Sequence, residues 1–134
     1  MNDIFIRIVL GHLVGDYLLQ TKHMALRKSD KGWTGVKQCL IHCFIYTATI
    51  CLFAWWVDPL FIVLVFVSHY PIDRWSLGGA WLKMIRGRTF VAAYTSTDKY
   101  REFDVAFTSI VYTVTDNTMH IVLLWLIVRL LIVC

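Results

Sequence analysis

Apolar residues gather into four stretches along this chain, each about the length a membrane helix needs. The first covers residues 4–20 and is the most polar. The second, residues 36–57, is interrupted only by His42 and a few hydroxyl side chains. Asp58-Pro59 then predicts a tight turn, because proline fixes its own φ and disfavours helix at the residue before it. A third stretch covers residues 60–80, with Gly78-Gly79 as its expected end. The fourth, residues 105–133, exceeds the ~30 Å apolar core of a bilayer, so its ends are expected to tilt or emerge. No internal repeat or low-complexity tract is visible. The pattern predicts an all-α integral membrane four-helix bundle, a single transmembrane domain over residues 1–134.

Composition strengthens that reading. Apolar residues make up 58% of the chain, charged residues 16%, and the mean hydropathy is +0.62. A soluble domain of this size could not hide so much apolar surface. Lys and Arg number 13 against 9 Asp and Glu, for a net charge of +4, but the cations fall mostly in two connections. Residues 21–38 carry Lys22, Arg27, Lys28, Lys31 and Lys37 against Asp30 alone, and residues 81–104 carry Lys83, Arg86, Arg88, Lys99 and Arg101. Such placement sets topology and makes no case for nucleic acid. It puts both long loops in the cytoplasm and both termini outside, in a multi-pass protein of a bacterial cytoplasmic membrane. Arg129 then snorkels to the outer interface. Residues 81–94 mix aromatics, aliphatics and cations as a segment on the inner membrane surface would, with Gly87 interrupting any helix there. Trp55, Trp56 and Trp75 read as interfacial anchors.

The polar residues inside the apolar stretches carry the chemistry. His12/Asp16, His69/Asp73 and Asp116/His120 are each four residues apart, which puts both members on one helix face. Ionisable groups cost several kcal/mol at membrane depth and persist mainly where they face a protein interior and do something. The fourth helix runs opposite to the first and third, and its pair is written in reverse. All three pairs therefore point the same way, histidine outward and aspartate inward. At 1.5 Å per residue, His12 and His42 lie about 10–13 Å from the cytoplasmic ends of their helices, so the groups can converge in the inner half of the bilayer.

Imidazole nitrogen and carboxylate oxygen together suit zinc, iron or manganese, as one ion or a bridged pair. The candidate metal ligands are His12, Asp16, His42, His69, Asp73, Asp116 and His120. Asp16, Asp73 and Asp116 are also candidates for bridging or general-base roles, and Arg74 for stabilising anionic charge. Gln20 extends the first stripe by a turn, and Arg74 and Asn117 adjoin aspartates, which makes these three the candidate substrate-binding residues. Asp73 and Arg74 read equally well as a simple ion pair. Cys39, Cys43, Cys51 and Cys134 read as small buried hydrophobes, although Cys39 and Cys43 flank His42 and stand as further ligand candidates. The first stretch holds Arg7, His12 and Asp16 and lacks a small-x-small cleavage site, unlike a cleavable signal peptide.

GHLVGDYLLQTKHMALRK, a central His42 and SHYPIDRW resemble an uncharacterised family of small polytopic membrane proteins of bacteria and their phages. The resemblance covers about the first 80 residues. It implies a pattern of His-x-x-x-Asp-x-x-x-Gln, a histidine in the second helix, and His-x-x-x-Asp-Arg. Here these are His12, Asp16, Gln20, His42, His69, Asp73 and Arg74. More distantly the paired motifs resemble bacterial membrane-bound metal-dependent hydrolases. Three functions stay open: a metal-dependent hydrolase acting on a lipid or amphiphilic phosphate, a proton or metal-ion transporter, and a non-catalytic membrane effector such as a superinfection-exclusion factor. Four short helices enclose little volume, which leaves room for a homodimer enclosing a larger site.

Overall fold

Local chemistry sets where each helix begins and ends. The computed structural model describes residues 2–133, and every regular element in that range is helical. Helix α1 (Asn2–Leu13) runs on into a π-helical turn, Val14–Leu18. Thr21 caps the short α2 (Lys22–Arg27), its Oγ1 accepting the Met24 N–H. Helix α3 (Trp33–Ala54) ends where Trp55 turns left-handed at φ 54°. Asp58 caps α4 (Pro59–Arg74), its Oδ1 accepting the Phe61 N–H at 3.0 Å, and Pro59 occupies the first turn where its missing N–H costs nothing. Helix α5 (Leu77–Arg86) ends at Gly87, α6 (Phe90–Thr95) is capped by Thr89, and α7 covers Arg101–Val133.

The third apolar stretch departs from the expected single helix. Helix α4 stops at Arg74, Ser76 takes a left-handed φ of 48°, and α5 leaves at an angle of 54°. Gly78-Gly79 therefore lies in the first turn of α5, not at the end of a helix. Close packing accompanies the bend: a Cβ on Gly78 would sit 3.2 Å from Asp116 Oδ1, a tight contact, so glycine eases the approach of α5 to α7. Helices α3 and α7 are each long and apolar enough to cross a membrane, and α4 with α5 reaches that measure only as a bent pair. Helix α1 is 12 residues, with five more in its π-helical turn.

The outer surface is apolar, with Phe44, Leu52, Val63, Val67 and Val114 all exposed. Together with helices long and apolar enough to cross a membrane, so large an apolar exterior fits a membrane protein. Several polar side chains on α7 bond back to its own backbone. Ser109, Thr115 and Thr118 each donate to the carbonyl four residues back, as does Asn117 Nδ2 to Thr113. Inside, Ile8, Tyr46, Ile50, Phe61, Val65, Leu124 and Val128 form the core, and Trp56 is drawn onto it by stacking on Phe61 at 4.5 Å. Cys39, Cys43 and Cys51 are buried free thiols, and Cys134 lies outside the described residues.

Helix α1 meets α3 through Gly11 and Gly15, one turn apart. A Cβ on Gly11 would lie 3.1 Å from Phe53 Cβ and 3.3 Å from the Ile50 backbone; one on Gly15 would lie 3.0 Å from the Tyr46 ring. Small residues at this spacing let two backbones approach closely. Gly11→Leu should therefore force the pair apart and destabilise the detergent-solubilised protein by about 1–3 kcal/mol. Leu10→Ala, on the exposed side of α1, should change stability by under about 0.5 kcal/mol. Equal thermal midpoints for the two variants would contradict this packing.

Candidate metal centre

Four helical segments and one loop lysine converge on a small buried volume. Asp16 lies in the π-helical turn, whose extra residue per turn widens the helix. Its Oδ2 stays 3.2 Å from His12 Nδ1, while Oδ1 reaches across to His42 Nε2 at 3.1 Å and His69 Nε2 at 3.8 Å. Asp73, in the last turn of α4, divides its carboxylate. Oδ2 lies 3.1 Å from both His42 Nε2 and His69 Nε2, and Oδ1 lies 2.8 Å from Lys28 Nζ and 3.6 Å from His120 Nε2. The two imidazoles face each other, Nε2 to Nε2 at 3.0 Å. Asp116 approaches His120 Nε2 at 3.7 Å.

His42, His69 and Asp73 thus present three ligand atoms in a near-equilateral triangle with edges of 3.0–3.1 Å. A tetrahedral ion with bonds of about 2.0–2.2 Å has ligand–ligand edges of about 3.3–3.6 Å. The atoms of Asp16, His42 and His69 lie within mutual ligand reach, as do those of His69, Asp73 and His120.

Hydrogen bonding does not account for the cluster. His12, His42, His69, Asp73 and His120 are each at most 2% exposed. Among the described residues, Asp16 Oδ1, Asp73 Oδ2, Asp116 Oδ1, His120 Nε2 and the Nδ1 atoms of His42 and His69 are buried without a well-formed hydrogen bond, whereas Asp73 Oδ1 has the Lys28 ammonium. Each such atom costs about 1–3 kcal/mol if left so. With the imidazoles neutral, the three carboxylates Asp16, Asp73 and Asp116 face the single ammonium of Lys28. Two negative charges remain, which is the charge of one divalent cation. The donor set and the charge fit such an ion, and the edges are a few tenths of an ångström shorter than a bound tetrahedral ion would set.

His12 stands apart from the ligand triangle. Asn117 Nδ2 donates to the Thr113 carbonyl and touches the Tyr17 hydroxyl, leaving Oδ1 to accept from His12 Nε2 at 2.7 Å. The network thereby assigns the His12 tautomer, and Nδ1 accepts from the Tyr46 hydroxyl at 3.0 Å. His12 and Asn117 hold Tyr46 in place. Gln20 lines the neighbouring pocket with its Nε2 buried and unpartnered. Arg74 is half-buried, and Asp73 pairs with Lys28 instead of with it. Neither Cys39 nor Cys43 enters a ligand group; Cys39 Sγ lies 4.0 Å from Cys43 Sγ and 3.9 Å from the Tyr70 carbonyl.

Two site residues escape the sequence pattern. Tyr46 stacks on His69 at 3.7 Å, and its place four residues after His42 is the signal that could have found it. Lys28 comes from the connection after α2 and looks like any topology-setting cation. In place, burial opposes its charge and the Asp73 carboxylate outweighs that, holding the ammonium above the ordinary lysine range.

A polar pocket of about 180 Å³ adjoins the cluster, lined by Asp16, Tyr17, Gln20, Lys28, Tyr112 and Asp116. An apolar groove of about 560 Å³ runs between α4, α5 and α7, past Ile72, Trp81 and Met119, the sequence neighbours of Asp73 and His120 among them.

No curated protein and no solved structure matches the chain. The family model described as "Protein of unknown function (DUF3307)" matches residues 4–134, α7 and its Asp116/His120 pair included, and the chain belongs to that family.

Proposed function

We propose that this is a multi-pass membrane protein that holds one divalent metal ion, zinc, iron or manganese, and hydrolyses a phosphate-type group on a lipid or other amphiphile. The observation that carries the reading is the His42–His69–Asp73 triangle, capped by Asp16, in which the two imidazoles turn Nε2 toward the buried oxygens Asp16 Oδ1 and Asp73 Oδ2, neither of which has a well-formed hydrogen bond. His42, His69, Asp73 and Asp16 would hold the ion, with His12 fixing Tyr46, whose ring backs His69. When bound, such an ion supplies Lewis acidity at neutral pH.

The chain's own residues supply the rest. Asp116 Oδ1 is buried, unpartnered and at the wall of the polar pocket, the position a general base for a pocket water requires. Lys28 offers positive charge to an anionic group entering there, and Gln20 Nε2 a free donor. The apolar groove beside the site suits the hydrocarbon part of an amphiphile. Orientation follows the loop charges: both basic connections cytoplasmic, which opens the polar pocket toward the inner leaflet.

Elemental analysis of detergent-purified protein should find about one equivalent of zinc, iron or manganese per chain. His42→Ala and His69→Ala should lose it, while His12→Ala should keep the site with affinity weakened about 10–100-fold. Protein that neither carries nor takes up any of these metals would sink the proposal.

Asp116→Asn should retain the metal yet release inorganic phosphate from micellar short-chain phosphatidic acid at least about 100-fold more slowly. Metal-loaded wild type that conducts cations in proteoliposomes and shows no phosphate release would favour a transporter instead.

A further inference from the structure

The geometry points to a second divalent-cation subsite beside the first, formed by His120, Asp116 and Asp73 Oδ1, in which the ammonium of Lys28 stands as a tethered placeholder. This rests on the single-ion reading above and extends it to a centre that can hold two.

Asp73 presents its two oxygens to two different sets of partners. Oδ2 faces His42 and His69, whereas Oδ1 faces Lys28 Nζ at 2.8 Å and His120 Nε2 at 3.6 Å. A carboxylate divided in this way is the usual bridge between two ions about 3.5–4 Å apart. His120 is 2% exposed, and its Nε2 has no hydrogen-bond partner while lying 3.7 Å from Asp116 Oδ2. Asp116 Oδ1 is also buried and unpartnered, in space that Gly78 leaves open. Every donor around the Lys28 ammonium except Asp73 Oδ1 is thus left without its proper partner. An ammonium is a compact point charge with three donors and cannot serve as a ligand-ordering centre for an imidazole nitrogen and two carboxylates at once.

Lys28 is also the partner that can leave most easily. It follows α2, a helix of six residues with none buried, so withdrawing it breaks little core packing. The charge changes in a directed way. One divalent ion plus Lys28 balances the three carboxylates, whereas two divalent ions without Lys28 leave one positive charge. A phosphate anion entering the polar pocket, which Lys28 and Asp116 both line, would neutralise it. The class of ligand that completes the two-ion state is therefore a phosphate group.

Manganese stoichiometry tests this on the full-length protein in detergent. Wild type should bind one Mn²⁺ per chain and Lys28→Met two, with an exchange-coupled electron paramagnetic resonance spectrum appearing only in the variant. Adding His120→Ala to Lys28→Met should return the count to one, and Lys28→Arg, which keeps the charge, should stay at one. Lys28→Gln serves if the methionine variant is not recovered folded. In wild type, inorganic phosphate should promote uptake of the second ion. One ion in both wild type and Lys28→Met overturns the inference and leaves the single-ion reading standing. Two ions in wild type without phosphate overturn it as well, and none in wild type overturns both.

Discussion

The Asp73 carboxylate is 2% exposed inside a bundle whose exterior is apolar, and the architecture around it follows from compensating that charge. A buried anion without partners costs far more than any single helix contact returns. Compensation comes from every direction: His42 on α3, His69 on its own helix, His120 on α7 and Lys28 from beyond α2. Each of these holds an element in place. Lys28 adds a polar tie from the first connection to the bundle, whose α2 otherwise rests against α3 without a buried residue.

Close backbone approach makes that convergence possible. Gly11 and Gly15 bring α1 against α3 so that Asp16 can reach His42, and Gly78 brings α5 against α7 beside Asp116. The π-helical turn finishes the task by aiming Asp16 sideways while it still touches His12. Tyr46 joins the two layers, its ring against His69 and its hydroxyl on His12. His12 has both ring nitrogens engaged, by Asn117 and by Tyr46, and so supports the cluster, while His42 and His69 turn their Nε2 atoms to its centre.

Much of this was legible in residue spacing. The three pairs four residues apart do contact one another, and the apolar stretches do become helices, with Asp58-Pro59 turning the chain between α3 and α4. Spacing reports which side chains share a face, and that is a local property. It cannot report a π-helical turn, which depends on how α1 seats against α3, nor the break at Ser76, which accompanies the approach of α5 to α7. Lys28 was hidden for a different reason. A cation in a basic loop carries no periodic signal, and its value arises only when folding sets it beside Asp73. The adjacency of Asp73 and Arg74 misleads in the same way, because neighbours in a helix point to different faces.

The break between α4 and α5 also shortens one wall of the bundle. Sixteen residues of α4 rise about 24 Å, several ångströms short of a typical hydrocarbon core. The chain turns away at Trp75–Ser76, two residues after Asp73, so the polar boundary on that flank is drawn inward to the level of the cluster. Beside it, α3 with 22 residues and α7 with 33 present longer apolar walls. The shortest of the three walls is thus the one that carries His69 and Asp73, so the buried charge sits beside the end of its helix and not in the middle of one.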